Sequence, residues 1–180
     1  MQRRKVYKLY KHKMYVPFQS LPDHARIWVY QASRKLTVAE AEKVRSNKQG
    51  FCEQWEAHGQ ALHSSFRIDY NQFLIVGVDE GVHSASGCSI DGSVRILKGY
   101  HSELGVNFLD PSQVAFILNS EVKLFPRLEL KSLFESGQLN GATRTFNNLV
   151  ATKADFLKKW EIPVEKSWMV KYLPKTALNV

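Results

Sequence analysis

The chain has 180 residues, 44% of them hydrophobic and 23% charged, a composition that suits one globular domain with a real core and excludes a disordered polar chain. No apolar stretch approaches the roughly 18 residues that a membrane-spanning helix needs, and the N-terminus lacks the apolar segment of a secretory signal. The net charge of +8 is uneven: Arg3, Arg4, Lys5, Lys8, Lys11 and Lys13 precede residue 14 with no acid among them, leaving 19 of the 25 basic residues against 17 acidic ones.

This distribution reads as a basic N-terminal extension over 1–13 and a nearly neutral single α/β domain over 14–180. Nucleic acid is expected only through the basic arm, by counterion release, and no membrane partner is expected. Cys52 and Cys88 are too few for a disulfide framework and suit a reducing, cytoplasmic setting.

In chain order, Arg26–Gln31 (RIWVYQ) is predicted as a strand, with Ile27 and Val29 on one face and Trp28 and Tyr30 on the other. Thr37 and Glu40 form a capping-box signature, and Val38, Ala41, Val44, Phe51 and Trp55 recur near helical spacing, so a helix is expected to end at His58 and Gly59 in a C-cap. Residues 62–68 and 72–78 read as a strand pair. The second contains FLIVGV, continuously apolar, as in a central strand covered on both faces.

Beyond a loop over 79–91, Ile90, Val94, Leu97, His101 and Leu104 predict a second amphipathic helix, with His101 packed. A strand follows at 114–118, then a helix that Pro126 opens and Gly137 ends, then a strand within 143–150. Thr152 and Asp155 cap a short helix ending near Trp160, and the tail is expected to be extended and packed by Trp168 and Tyr172. The fold expectation is α/β or α+β, a single domain with a mixed β-sheet and about four helices.

The loop carries SASGCSIDGSV, residues 84–94, where a strand hands over to a helix. Unpaired N–H groups and the helix dipole favour an anion there. A P-loop reads G-x-x-x-x-G-K followed by Ser or Thr, whereas Gly81 to Gly87 has one residue too many between its glycines and Cys88 stands where lysine belongs. A nucleotide hydrolase is therefore not expected, and no G-x-G-x-x-G fingerprint implies a cofactor. Ser86, Gly87, Ser89 and Trp55 remain candidates for binding a small molecule, an anion or a protein.

Three chemistries compete at this loop. In a thiol-dependent enzyme, Cys88 near a helix N-terminus would be the nucleophile, His83 or His58 the base and Asp91 the orienting carboxylate. Against it stands the plainer expectation of a small, buried cysteine. In a metal-dependent nuclease or phosphodiesterase, Asp79, Glu80 and Asp91 would converge on a divalent cation, although carboxylates at a strand end are more often solvated turn residues. The leading expectation is a ligand- or protein-binding domain built around the 79–91 loop. Farther along, Phe146-Asn147-Asn148 could offer two amides to a ligand, or simply end a strand.

Four stretches, MYVPFQSLPDHARIWVYQASR, FCEQWEAHGQALHSSFRIDYNQF, VDEGVHSASGCSIDGSV and TFNNLVATKADFLKKWEIPVEKSW, resemble a family of small bacterial proteins from the Bacteroidetes. The resemblance spans about Met14 to Trp168 and is most specific at Trp55-x-x-His58-Gly59 and Ser86-Gly-Cys-Ser-Ile-Asp91. Members often carry the label ABC transporter ATPase. That label does not fit these residues: there is no Walker A lysine and no LSGGQ signature, and 180 residues is short for a complete ATPase domain. The resemblance implies no catalytic residue.

Overall fold

Phe73–Val78 is the centre around which the molecule is built: every residue of this strand is buried, and it pairs antiparallel with a neighbour on each side. The computed structural model describes residues 14–174, so the basic extension over 1–13 lies outside the described residues. Among them are nine strands, β1 (Arg26–Gln31), β2 (Glu56–Ala57), β3 (Gln60–Ala61), β4 (Ser64–Asp69), β5 (Phe73–Val78), β6 (Gln113–Leu118), β7 (Glu121–Pro126), β8 (Arg144–Phe146) and β9 (Glu161–Pro163). Four α-helices accompany them: α1 (Val38–Cys52), α2 (Gly87–Leu104), α3 (Leu130–Glu135) and α4 (Lys153–Lys159). The expected mixed α/β fold is present.

The strands form sheets of order β1-β5-β4, β2-β3 and β7-β6-β8-β9. All the strand pairs are antiparallel, and parallel pairing among the described residues is confined to an isolated bridge between Tyr15 and Ser64.

Strand periodicity sorts the side chains of the first sheet into two cores. Trp28 and Tyr30, Phe66 and Ile68, and Leu74, Val76 and Val78 face α1 and α2. Ile27, Val29, Phe73 and Ile75 face the second sheet, where they meet Ala115, Ile117 and Phe146, together with Phe156 of α4 and Trp160. The far face of the second sheet packs Val114, Phe116 and Phe125 against Leu130 and Phe134 of α3 and against Met169. The layers run helix, sheet, sheet, helix. Each fully buried apolar side chain contributes about 1.5–3 kcal/mol relative to exposure. Gly77 permits the close approach at the middle: a Cβ there would lie 2.5 Å from Leu21 and 2.9 Å from Ile27 side-chain carbons.

Both main helices begin in reciprocal capping boxes. At α1, the Thr37 hydroxyl accepts from the Glu40 amide at 3.2 Å while the Glu40 carboxylate accepts from the Thr37 amide at 2.8 Å. Arg34 forks onto that carboxylate at 2.8 and 2.9 Å and also donates to the Leu104 carbonyl at 2.7 Å, tying the start of α1 to the end of α2. The Arg34 guanidinium, aided by the Thr37 amide, holds the Glu40 carboxyl down at about 2.

Several expectations change. The first helix ends at Cys52, and His58-Gly59 instead turns the β2–β3 hairpin with φ of 52° and 74°, a two-residue turn with both central residues left-handed. Its buried stripe is Ala41, Val44, Lys48 and Cys52, and Val38 is 74% exposed. On α2 the buried face is Ser89, Ser93, Leu97 and Tyr100, so His101 is exposed rather than packed. The long Lys48 side chain bridges from α1 to Ser93 on this face, and Ile90 and Val94 are half-buried beside it. In the tail, Val164 and Met169 are buried while Trp168 is 41% exposed, so Trp168 does not pack the core; Tyr172 stacks on Phe134 at 6.1 Å.

Candidate functional site

Two regions concentrate polar side chains: the β5–α2 junction singled out in the sequence, and a cleft beside the second sheet. At the junction the small residues are consumed by helix capping. Ser86 Oγ accepts from the Ser89 amide at 3.2 Å and Ser89 Oγ accepts from the Ser86 amide at 2.9 Å. The Ser89 hydroxyl donates in turn to the Ser86 carbonyl at 2.8 Å. From beneath, the buried Trp55 indole donates to the Ser89 carbonyl at 2.8 Å. Ser86, Ser89 and Trp55 thus satisfy one another, and only Gly87 among the four residues expected to bind a ligand is both exposed and uncommitted.

The carboxylates are likewise committed locally. Asp79 is fully buried at the end of β5; its Oδ1 accepts from the Gly81 amide at 3.0 Å and faces His24 Nε2 at 3.3 Å. Glu80 Oε1 accepts from Arg26 at 3.4 Å and from the Ala85 amide at 3.2 Å. Asp91 is exposed on α2. Among the described residues no group of three or more His, Cys, Asp or Glu side chains is placed to hold a metal ion. Asp79, Glu80 and Asp91, the carboxylates of the metal-dependent alternative, are not among any such group.

Cys88 is exposed, which overturns the expectation of a buried thiol: it sits on the solvent side of the first turn of α2, while its neighbour Ser89 turns inward. His83 is half-buried in the same loop, and His58 is exposed in the β2–β3 turn. Among the described residues no hydrogen bond joins Cys88 to His83, His58 or Asp91. The thiol is accessible and is hydrogen-bonded to none of these three side chains among the described residues.

Beneath the junction lies a group that sequence reasoning missed. Lys48 projects from α1 into the α1–α2 interface, fully buried, with Nζ donating to Ser93 Oγ at 2.8 Å and lying 4.7 Å from the Phe51 ring. Burial pushes its ammonium down to about 8, only partly opposed by the nearby Cys52. The helical spacing from Ala41 and Val44 points to position 48, but a lysine there is easily passed over as a solvated residue.

The cleft has a volume of about 590 Å³. It forms because β8 pairs with β6 only opposite Phe116 and Ile117, leaving the first half of β6 without a neighbour on that side. Two carbonyls of this stretch are capped by side chains: Gln31 Nε2 donates to Gln113 at 2.9 Å, and Thr145 Oγ1 to Ala115 at 2.9 Å. Val114, Phe146, Leu149 and Ile162 supply apolar lining, and Arg127, Lys166, Asn147 and Asn148 supply polar groups.

The hydrogen bonds fix which way the two amides face. Asn147 Oδ1 accepts from the Leu149 amide at 3.3 Å, and Asn148 Oδ1 accepts from the Trp160 indole at 3.0 Å. Both donors are obligate, so each carbonyl oxygen is committed and each NH2 is left to donate elsewhere. Arg127 lies with its guanidinium 4.5 Å from the Trp168 ring centre, and Trp168 also lines the cleft. Neither Arg127 nor Lys166 joins any ion pair formed among the described residues.

Of the cleft lining, sequence reasoning had singled out Phe146, Asn147, Asn148 and Trp168, the last as a core residue. Arg127 and Lys166 carried no signal, since only the pairing of the sheet brings them to one place. No helix among the described residues is long and apolar enough to cross a membrane. Comparison of the chain with protein-family models, with curated proteins and with solved structures finds no match.

Proposed function

We propose that the protein is a ligand-binding domain whose ligand occupies the cleft beside β6, β8 and β9, and that the 79–91 junction is a structural hinge between sheet and helix. The observation that carries this reading is the cleft itself. Its volume of about 590 Å³ falls within the roughly 300–1,000 Å³ of small-molecule sites, and it combines an apolar floor with a few convergent polar groups. The junction has the opposite character, because its capping hydroxyls and the Trp55 indole already bond to one another.

The test is an NMR survey of the full chain with neutral and charged aromatic fragments. Shifts are expected to cluster on the Trp168 indole and the Asn147 and Asn148 side-chain amides. Shifts centred on residues 87–89 would return the site to the junction.

A further inference from the structure

We propose that the cleft selects an organic anion carrying a flat ring, of the aryl carboxylate or aryl phosphate class; this rests on the reading of the cleft as the binding site. The charged groups at the cleft are all cations, beside the neutral polar side chains of Gln31, Gln113 and Ser167. Arg127 and Lys166 each bring a positive charge, no Asp or Glu is among the lining residues, and the Asn147 and Asn148 amides present NH2 groups because their oxygens are held elsewhere.

The Arg127 guanidinium carbon lies 4.5 Å from the Trp168 ring centre, a cation–π contact that uses none of its N–H donors. Its fork of donors suits two parallel bonds to a carboxylate or phosphate. Asn147 and Asn148 are held from the other side: the Asn147 amide N–H donates to the Trp160 carbonyl at 2.6 Å, and the Trp160 indole holds the Asn148 side chain at 3.0 Å. Donors fixed before the ligand arrives lose little freedom on binding. Val114, Phe146, Leu149 and Ile162 give the cleft apolar surface that a bare ion would leave unused, which suits a ring on the ligand.

The experiment titrates benzoate, phenyl phosphate, benzamide and inorganic phosphate separately into the full chain at low salt, following the Trp168 indole and the Asn147 and Asn148 side-chain resonances. Benzoate and phenyl phosphate are expected to bind at least about tenfold more tightly than benzamide, since charge-assisted bonds exceed neutral ones. Arg127→Gln and Lys166→Gln, both at exposed positions, are expected to leave the remaining amide spectrum in place and to weaken the anions by about five- to tenfold each. Equal binding of benzamide and benzoate overturns the anion preference while leaving the cleft a binding site. Silence with all four probes overturns both readings. Inorganic phosphate binding as tightly as phenyl phosphate removes the ring from the proposal, and anion binding undiminished in both glutamine variants removes the cationic pair.

Discussion

The β5–α2 junction and the cleft differ in where their polar atoms are directed. At the junction, letters that resemble a functional loop turn inward: Ser86 and Ser89 cap each other, Trp55 caps Ser89, and the Asp79 carboxylate holds the Gly81 amide. In the cleft, unremarkable letters keep donors to spare: two asparagines whose oxygens are held elsewhere, an arginine and a lysine line one concavity with Val114, Phe146 and Ile162. A motif-like string is therefore weak evidence of a site until its hydrogen bonds are followed to their ends. Donors left unpaired in a concavity say more.

If the junction is structural, changes there should alter stability and spare the cleft. Trp55→Ala removes a buried indole that is 3% exposed, along with its bond to Ser89, and is expected to cost about 3–5 kcal/mol in urea unfolding. Trp55→Phe, which keeps most of the packing and loses the bond, should cost about 1 kcal/mol. In this second variant benzoate binding at the cleft should match that of the native chain; a tenfold loss would mean that the two regions are coupled.

Lys48→Met is the next largest effect, and it has the opposite sign. Taking the ammonium out of water pushes its pKa from 10.5 down to about 8, so the charged form burdens the fold and its removal should stabilise by ~2 kcal/mol at neutral pH. Between pH 8 and 10.5 the unfolded chain holds a proton that the folded chain has released, so native stability rises with pH across that window. The advantage of Lys48→Met should accordingly be full below about pH 8 and shrink towards pH 10.5. Denaturant midpoints across this range check it, and an advantage that does not vary with pH would place the ammonium in water.

These two residues also explain what could be read from the sequence. Alternation in RIWVYQ and the unbroken FLIVGV placed β1 and β5, and the Thr37–Glu40 and Thr152–Asp155 pairs placed two helix starts, because backbone geometry alone dictates those patterns. Stripes drawn on hydrophobicity failed where the packed face is polar: α1 buries Lys48 and α2 buries Ser89 and Ser93, which no apolar count selects. One hairpin was missed because nothing in its turn marked it. Asn119-Ser120 turns β6 into β7 with φ of 52° and 64°, and without a glycine it gave no warning of β7. The cleft was the least legible, since Arg127 and Lys166 meet Asn147 and Asn148 only through tertiary pairing.

Smaller effects divide the junction itself into a capping residue and a bystander. Ser86→Ala loses the hydroxyl that receives the Ser89 amide at 3.2 Å and should cost about 1 kcal/mol. Cys88→Ser, two residues on and exposed, should change stability by less than about 0.5 kcal/mol. In the native fold, iodoacetamide should modify Cys88 readily and spare Cys52, which is buried and whose thiol burial pushes up. Mass spectrometry should count one adduct before denaturation and two after. Alkylation at Cys88 should also leave benzoate binding unchanged, because a bulky group at the junction does not reach the donors of the cleft. A modified protein that no longer binds benzoate would join the two regions into one site and return Cys88 to the centre of the chemistry.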